Sequence, residues 1–146
     1  MKIYVASSWR NEIYSSLIKV LRWGGHEVYD YREDDQFRWP CSNLEGYVYA
    51  LEHNLVVAAA YQRDKDALDW CDVLLLIMPC GRSAHLEAMY ASGIGKHVMV
   101  LFDEKEPWEL MYRLLLAGGG GAQFVTDING LRTALERLCW ISTAHA

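Results

Sequence analysis

Two acidic residues, Glu87 and Asp64, carry the clearest potential for chemistry in this sequence. The local pattern predicts that Glu87 lies in the first turn or so of a helix, where the helix dipole favours an ionised carboxylate. Such a carboxylate can attack an electrophilic carbon, for example the anomeric carbon of a sugar. Cleavage of a glycosidic bond uses a second carboxyl group to manage protons, and Asp64 is the candidate for that role.

Each carboxylate also has a structural interpretation. Acidic side chains are common in the first turns of helices, and Asp64 fits the N-cap of a short helix that runs to about Trp70. From position alone, the structural interpretation is the stronger one for both residues. The chemical interpretation therefore needs support from elsewhere in the chain.

Three polar residues are candidates for holding a phosphate or a sugar. Ser8 and Arg10 follow the first predicted strand, and Ser83 opens the predicted helix that carries Glu87. Backbone N–H groups at strand-to-helix junctions point outward and favour anions. Each residue could instead be a cap or a solvated charge, so their expected convergence on one edge is more informative than any one of them.

Nothing in the sequence indicates a metal site or an organic cofactor. His85 and Glu87 form the H-x-E pair of zinc deaminases, but Pro79 and Cys80 precede this pair, and no second cysteine follows at the required spacing. The cysteines have the spacing of neither a zinc site nor a disulfide framework, so we expect reduced thiols. They are Cys41, Cys71, Cys80 and Cys139.

Aromatic side chains are plentiful, with six tryptophans and nine tyrosines. The polar loop 31–43 holds three of them, Tyr31, Phe37 and Trp39, which could stack on a nucleobase. For any one of them, local packing is the alternative. Trp39 is our candidate for contact with a substrate.

Five short apolar segments predict buried β-strands, and helical patterns alternate with them. The predicted strands are Lys2–Ala6, Glu27–Asp30, Val73–Met78, His97–Phe102 and Gln123–Thr126. Six helices are predicted. The first begins near Arg10 with a stripe of Ile13, Leu17 and Leu21, the second carries Tyr47, Leu51, Leu55 and Ala59, and the third starts at Asp64. The fourth runs from Ser83 to Ser92, the fifth opens at Pro107 and carries Leu110, Met111 and Leu114, and the sixth carries Leu131, Leu135 and Leu138.

This alternation predicts a single α/β domain over residues 1–146, a doubly wound five-stranded parallel sheet in the flavodoxin-like order 2-1-3-4-5. Ligands of such sheets bind beyond the carboxyl ends of the strands, where the order reverses. The loops Ser7–Arg10 and Pro79–Glu87 should face each other there, with the loop 31–43 at the same edge. The glycine run Gly118–Gly121 precedes a strand and should lie at the opposite edge.

The amino-acid composition limits the classes of molecule that this protein is expected to bind. The formal net charge is −5, which disfavours nucleic-acid polymers as ligands and leaves small molecules as the expected class. The longest apolar run, Val73–Met78, is too short to span a bilayer. The first residues read directly as a strand with no signal-peptide pattern, so we expect a cytoplasmic location.

Three segments together resemble the nucleoside 2-deoxyribosyltransferase-like family, which includes 2′-deoxynucleoside 5′-phosphate N-hydrolases. They are KIYVASSWR (Lys2–Arg10), RDKDALDWCD (Arg63–Asp72) and PCGRSAHLEAMYASG (Pro79–Gly93). The resemblance implies N-glycosidic bond cleavage without a cofactor, in a homodimer or higher homo-oligomer. It also implies that Glu87 is the nucleophile that forms a covalent glycosyl ester, that Tyr4 orients it, and that Asp64 assists departure of the base.

The resemblance also implies a phosphate site. Ser8 and Arg10 match positions that contact a 5′-phosphate in the hydrolase branch, and Ser83 falls in its second phosphate-binding loop. The transferase branch has an acidic residue where this chain has Arg82 and Ser83, which favours an anion. Against this, Glu109 aligns with a serine that the hydrolase branch supplies from a neighbouring subunit, and a second negative charge there would repel a phosphate.

The expected function is thus cleavage of the N-glycosidic bond of a (deoxy)nucleoside or its 5′-monophosphate, with water or a second base as acceptor. The first alternative is a non-catalytic nucleotide-binding module. A flavodoxin-like electron carrier or a receiver domain is a weaker alternative, because a receiver has an acidic cluster after its first strand where this chain has Ala6–Ser8.

Overall fold

The computed structural model describes residues 1–33, 37–103, 105 and 109–144. Its centre is a five-stranded parallel sheet in the order β2-β1-β3-β4-β5, which confirms the predicted fold. The strands are β1 Lys2–Ala6, β2 Glu27–Tyr29, β3 Val73–Ile77, β4 His97–Leu101 and β5 Ala122–Val125. All five predicted strands are present, with bounds that differ by at most one residue from the prediction.

Helices cover both faces of the sheet, which explains why β3 is buried along its whole length. The helices are α1 Tyr14–Trp23, α2 Leu44–His53, α3 Leu55–Trp70, α4 Arg82–Gly93, α5 Arg113–Ala117 and α6 Ile128–Ala144, and 3₁₀ turns cover Tyr31–Glu33 and Leu110–Tyr112. Helices α1 and α6 pack on one face. Helices α3, α4 and α5 pack on the other.

Helix α1 begins four residues later than predicted, at Tyr14 instead of Arg10. The Asn11 side chain accepts a hydrogen bond from the backbone N–H of Ile13 at 3.1 Å, which holds the chain in a turn before the helix. The predicted stripe was therefore wrong at Ile13, which is exposed. The buried positions are Tyr14, Leu17, Ile18 and Leu21.

The region 44–70 is divided differently from the prediction. Helices α2 and α3 meet at Asn54, whose backbone is extended and whose side chain caps α3 by accepting from Val56 and Val57 N–H. The predicted run through Leu51 and Leu55 is thus broken, and both side chains are exposed. Asp64 lies inside α3, so its interpretation as an N-cap was wrong.

The prediction that a helix opens at Pro107 is not tested, because Pro107 lies outside the described residues. In the described residues that follow it, the 3₁₀ turn Leu110–Tyr112 leads into α5. Leu110, Met111 and Leu114 are exposed instead of forming a buried face. Leu115 is the residue of α5 that enters the core.

The two loops expected to face each other do meet at the carboxyl edge, meaning the edge where the strands end. Ser7 Oγ donates to the carbonyl of Ile77 at 2.9 Å. The buried Asn11 amide donates to the carbonyls of Ile77, Met78 and Pro79 at 3.5, 3.1 and 3.2 Å. One asparagine therefore fixes the position of the loop that leads into α4.

The glycine run Gly118–Gly121 lies at the opposite edge, as predicted. The Gly120 carbonyl accepts from Nδ1 of His97, the first residue of β4, at 2.8 Å. A Cβ at Gly120 would lie 2.2 Å from the Lys96 carbonyl oxygen, so this glycine permits a close approach of two backbones. Among the described residues, no helix is both long and apolar enough to cross a membrane.

Candidate active site

Glu87 lies in the second turn of α4, and its side chain is partly buried. Burial, followed by the negative charge of Asp64, raises the pKa of the Glu87 carboxyl to about 7. Burial therefore opposes the helix dipole, which was expected to favour the ionised carboxylate. The site holds a carboxyl group that changes charge near neutral pH.

Tyr4 is the hydrogen-bond partner of Glu87. It lies in the middle of β1 with its side chain buried, and its hydroxyl is hydrogen-bonded to the Glu87 carboxylate, which lowers the pKa of Glu87 against the effect of burial. Burial, reinforced by the charges of Glu87 and Asp64, raises the pKa of Tyr4 far above its ordinary value. The phenol thus stays protonated and donates to the carboxylate.

Asp64 is positioned from the other side by Tyr29. The Tyr29 hydroxyl donates to Asp64 Oδ1 at 2.7 Å. Tyr29 is opposite Tyr4 in the β1–β2 register, and the two rings stack with centroids 5.2 Å apart. Two acidic side chains from different helices are therefore each bonded to one member of a tyrosine pair, Tyr4 and Tyr29, on adjacent strands.

The β1–α1 loop is held by contacts from Arg32. Arg32 Nη2 donates to the carbonyl of Ser8 at 2.7 Å and to that of Asn11 at 3.1 Å. The guanidinium lies over the Tyr14 ring, with Cζ 4.1 Å from its centroid. Ser8 Oγ accepts from Arg10 N–H at 3.2 Å, and the Arg10 side chain is exposed.

Arg82 and Ser83 are the first two residues of α4, and both are exposed. The helix is preceded by Gly81, which has no side chain to cap it. Since the Asn11 contacts bring this loop against the β1–α1 loop, Ser8 and Ser83 belong to neighbouring loops at one edge. This helix start can accept an anion from solvent.

Within the described residues, the ring contacts of Trp39 are with other aromatic side chains and not with the two carboxylates. Its ring packs against Phe37 and Tyr47, with centroids 5.4 and 4.8 Å away. These contacts fit the packing interpretation, although the indole stays 46% exposed.

Three residues of the site were not singled out by the sequence: Tyr29, Asn11 and Arg32. For Tyr29 a signal existed, because β2 is adjacent to β1 in the predicted order and a short parallel register puts its tyrosine next to Tyr4. For Asn11 and Arg32 no signal existed. Their side chains donate hydrogen bonds to backbone carbonyls of distant loops. Because every residue has a backbone carbonyl, the sequence does not indicate which ones are bonded.

The flank of α4 opposite Glu87 carries a second polar group. His85 Nδ1 lies 3.1 Å from the Gly81 carbonyl, so Nδ1 carries the hydrogen, and Nε2 accepts from the Tyr112 hydroxyl at 3.0 Å. Cys80 Sγ is 3.5 Å from Nδ1. In this tautomer, Nδ1 is a donor and cannot take a proton from the Cys80 thiol.

A mainly apolar cavity of about 460 Å³ adjoins this flank, with His85, Tyr112 and the exposed Glu109 in its lining. Glu109 therefore lies away from Glu87 within the same chain. Among the described residues, no group of three or more histidine, cysteine or acidic side chains is arranged to hold a metal ion.

No protein-family model matches this chain, and no curated protein matches it either. Nine chains of solved structures match its fold, and two of them are described here. One is a 2-deoxyribosyltransferase from Bacillus psychrosaccharolyticus, with a TM-score of 0.64 and 22% identity over 90% of each chain. The other is a CMP N-glycosidase from Clostridium botulinum, with a TM-score of 0.58 and 20% identity over 92% of this chain and 99% of that one.

Proposed function

We propose that this protein cleaves the N-glycosidic bond of a nucleoside or nucleoside 5′-monophosphate through a covalent glycosyl ester on Glu87. The observation that carries the proposal is the pairing of two acidic side chains with two stacked tyrosines, Glu87 with Tyr4 and Asp64 with Tyr29. Both similar structures are, by name, enzymes that work on nucleoside or nucleotide glycosyl groups.

In the first step, the ionised Glu87 carboxylate attacks C1′ of the pentose. The electrons of the C1′–N bond pass to the base, which takes a proton from a water molecule that the ionised Asp64 holds by a hydrogen bond, and solvent restores that proton to the water. The Tyr4 hydrogen bond keeps the attacking carboxylate in one orientation, so Tyr4 is a positioning residue. In the second step, water or the nitrogen of another base attacks C1′, the released proton passes through Asp64 to solvent, and Glu87 leaves as a carboxylate.

The phosphate end of a nucleotide would bind at the junction of the two loops at the carboxyl edge. Ser8, Arg10, Arg82 and Ser83 are the side chains we assign to it, because they lie on neighbouring loops and α4 starts there without a side-chain cap. Trp39 remains our candidate for stacking on the base, since half of its indole is accessible.

We also propose a homodimer. Large apolar side chains are exposed on α4 and in the segment that follows β4, where a monomer would leave them in water. They are Leu86, Met89, Leu110, Met111 and Leu114. Light scattering at micromolar concentration should give about twice the mass of one chain, and the mass of a single chain would contradict this proposal.

The experiment is a panel of ribo- and deoxyribonucleosides and their 5′-monophosphates, with free base measured by chromatography. We expect wild type to release free base, and we expect Glu87→Gln to lower the rate of release by at least about 10³-fold. Glu136→Gln is the matched control, because Glu136 is an exposed residue on α6. A peptide containing Glu87 should gain the mass of the glycosyl group.

Full activity in Glu87→Gln would exclude Glu87 as the nucleophile. Tight binding of a nucleotide by wild type, without turnover over hours, would instead support the alternative of a non-catalytic nucleotide-binding module. The same panel, run with and without an added free base, separates hydrolysis from transfer.

A further inference from the structure

Helices α3 and α4 carry the two acidic residues of the candidate active site, Asp64 and Glu87. Both helices lie on the same face of the sheet. Helix α3 leads into β3 and α4 follows it, so each helix runs from the carboxyl edge of the sheet to the opposite edge. The distance between the two carboxyl groups therefore depends on how far apart these two parallel helices lie.

The side of α4 that packs on the sheet consists of small side chains. Its buried apolar residues are Ala84, Ala88 and Ala91. Side chains this short form low ridges, which do little to fix the position of a helix relative to its neighbours. Contacts outside this face are therefore needed to hold α4 at its distance from α3.

Such contacts join the two helices through Asp69 of α3 and Tyr90 of α4. The Tyr90 hydroxyl donates to Asp69 Oδ1 at 2.8 Å. Lys65 Nζ donates to Asp69 Oδ2 at 2.5 Å and lies 4.7 Å from the centroid of the Tyr90 ring. Lys96, which precedes β4, donates from Nζ to the Asp69 backbone carbonyl at 2.6 Å. Asp69 is thus held by three donors, of which Tyr90 and Lys96 lie outside α3.

The Asp69 carboxylate keeps its charge while Glu87 titrates. The hydrogen bond from Lys65, followed by that from Tyr90, lowers the pKa of Asp69 below its ordinary value. The Lys65 side chain is only 24% exposed, and its bond to Asp69 raises the pKa of Lys65. A single ion pair at a surface contributes little, whereas a network of several groups holds its geometry better. The contact between the helices should therefore persist as Glu87 changes charge.

The contact lies about one helical turn from the two acids, on the side away from the carboxyl edge. Tyr90 follows Glu87 by three residues, which is a rise of about 4.5 Å along α4, and residues three apart share a helix face. Lys65 is the direct neighbour of Asp64 in the chain. A change in the Tyr90 contact should thus reach both carboxyl groups through the helices that carry them.

We infer that Tyr90 and Asp69 are positioning residues that set the distance between the carboxyl groups of Glu87 and Asp64. This inference rests on the function proposed above and deepens it. Cleavage needs Glu87 at the sugar and Asp64 near the base at the same time, so the spacing of the two groups decides how readily a bound substrate is attacked. The same spacing decides how strongly the negative charge of Asp64 opposes ionisation of Glu87.

The first test is Tyr90→Phe, which removes the hydroxyl and keeps the ring. Glu87 interacts with Asp64 of α3, with Tyr4 of β1 and with Tyr31 of the turn after β2. The substitution leaves these groups in place but lets the two helices move apart, so the charge of Asp64 should act less on Glu87. The rising limb of the pH profile of kcat/KM should move to lower pH by about half a pH unit. The plateau should fall by about three- to tenfold.

The position of the limb distinguishes positioning from a merely structural role. A structural role of the Tyr90 hydroxyl would lower the melting temperature and leave the rising limb at the wild-type pH. A limb that stays in place in Tyr90→Phe, or that moves to higher pH, would therefore overturn the inference.

Asp69→Ala tests the other side of the contact, and Asp66→Ala is its matched control. Each substitution removes one negative charge from α3, but Asp66 is bonded to Gln62 of the same helix, at 2.7 Å. Asp69→Ala should lower the plateau and move the limb to lower pH, whereas Asp66→Ala should leave the plateau unchanged. Adding Tyr90→Phe to Asp69→Ala should cause no further loss, because the contact is already absent. Equal effects of the two alanine variants, or additive losses in the double variant, would overturn the inference.

A titration of the Glu87 carboxyl separates this inference from the proposed function. If wild type cleaves nothing in the nucleoside panel, the proposed function fails, but the pKa of Glu87 can still be measured by carbon NMR. Glu87→Gln identifies the signal of this carboxyl group. The pKa of Glu87 should be lower in Tyr90→Phe than in wild type, and equal values would overturn the inference about spacing.

Discussion

The Glu87 carboxyl changes charge close to neutral pH because its burial and the nearby Asp64 oppose ionisation more strongly than the Tyr4 hydrogen bond favours it. A nucleophile must be ionised, so kcat/KM should fall tenfold per pH unit below about 7 and reach a plateau above it. Initial rates between pH 5 and 9 measure this directly. A rate that rises as the pH falls through 7 would mean that Glu87 acts in its protonated form.

Tyr4→Phe tests the positioning role of the tyrosine. Removal of the hydroxyl removes the one hydrogen bond that lowers the pKa of Glu87, so the rising limb of the pH profile should move to higher pH. The plateau should also fall, by about tenfold or more, because the carboxylate loses its fixed orientation. Tyr29→Phe is the matched variant, since its hydroxyl is bonded to Asp64 and not to Glu87. If the rising limb of the pH profile stays at the wild-type pH in Tyr4→Phe, the positioning role of Tyr4 is contradicted.

The sequence could predict some residues of this site and not others. Glu87, Tyr4 and Asp64 were found because whole segments resemble a known family, while position alone favoured structural roles for the two acids. Tyr29 and Arg32 escaped notice since each acts through a contact across the fold. The raised pKa of Glu87 could not be predicted from the sequence, because the depth of a side chain depends on packing that no local pattern records.

At the scale of elements, Asn11 connects the start of α1 to the end of β3. Asn11→Ala would leave the carbonyls of Ile77, Met78 and Pro79 without this donor. We expect a loss of about 2–3 kcal/mol in the free energy of unfolding, measured by urea denaturation. KM should rise as well, because the loop into α4 loses its anchor.

The control for Asn11→Ala is Asn54→Ala, which removes the cap of α3. It should cost about 1 kcal/mol and leave KM unchanged. Equal effects of the two substitutions on KM would contradict the anchoring role of Asn11.

The glycine run offers a second test at this scale. Gly120→Ala would place a Cβ 2.2 Å from the Lys96 carbonyl oxygen, whereas a Cβ at Gly119 meets nothing closer than 3.8 Å. Gly120→Ala should therefore lower the free energy of unfolding by about 2 kcal/mol or more, and Gly119→Ala by less than about 1 kcal/mol. Neither should change KM. A large rise in KM in either variant would place the run near the substrate.

Strands were easier to predict than helix limits. Every strand was identified because a strand covered on both faces, such as β3, has to be apolar throughout. The break between α2 and α3 was missed because the apolar residues on either side of Asn54 continue a helical spacing across it, although the Asn54 side chain caps α3.

For the whole molecule, the raised pKa of Glu87 links stability to pH. The folded protein holds a proton on Glu87 up to about pH 7, while an ordinary glutamate releases it near 4.5. This group's contribution to stability is therefore full below pH 4.5 and is lost as the pH rises through 7. Glu87→Gln should raise the free energy of unfolding at pH 8 by up to about 3 kcal/mol. If Glu87→Gln has a lower free energy of unfolding than wild type at pH 8, burial is not the cause of the raised pKa of Glu87.

The strands β1, β3 and β4 each span five residues, so about 16 Å of sheet separates the edge near Glu87 and Asp64 from the edge with the glycine run. Gly119 is exposed on that far edge, where a Cβ would make an ordinary contact with Gly95 Cα at 3.8 Å. A cysteine introduced there would give a tethering point for a solid support or a dye. Protein immobilised in this way keeps the edge with Glu87 and Asp64 turned toward the bulk solution.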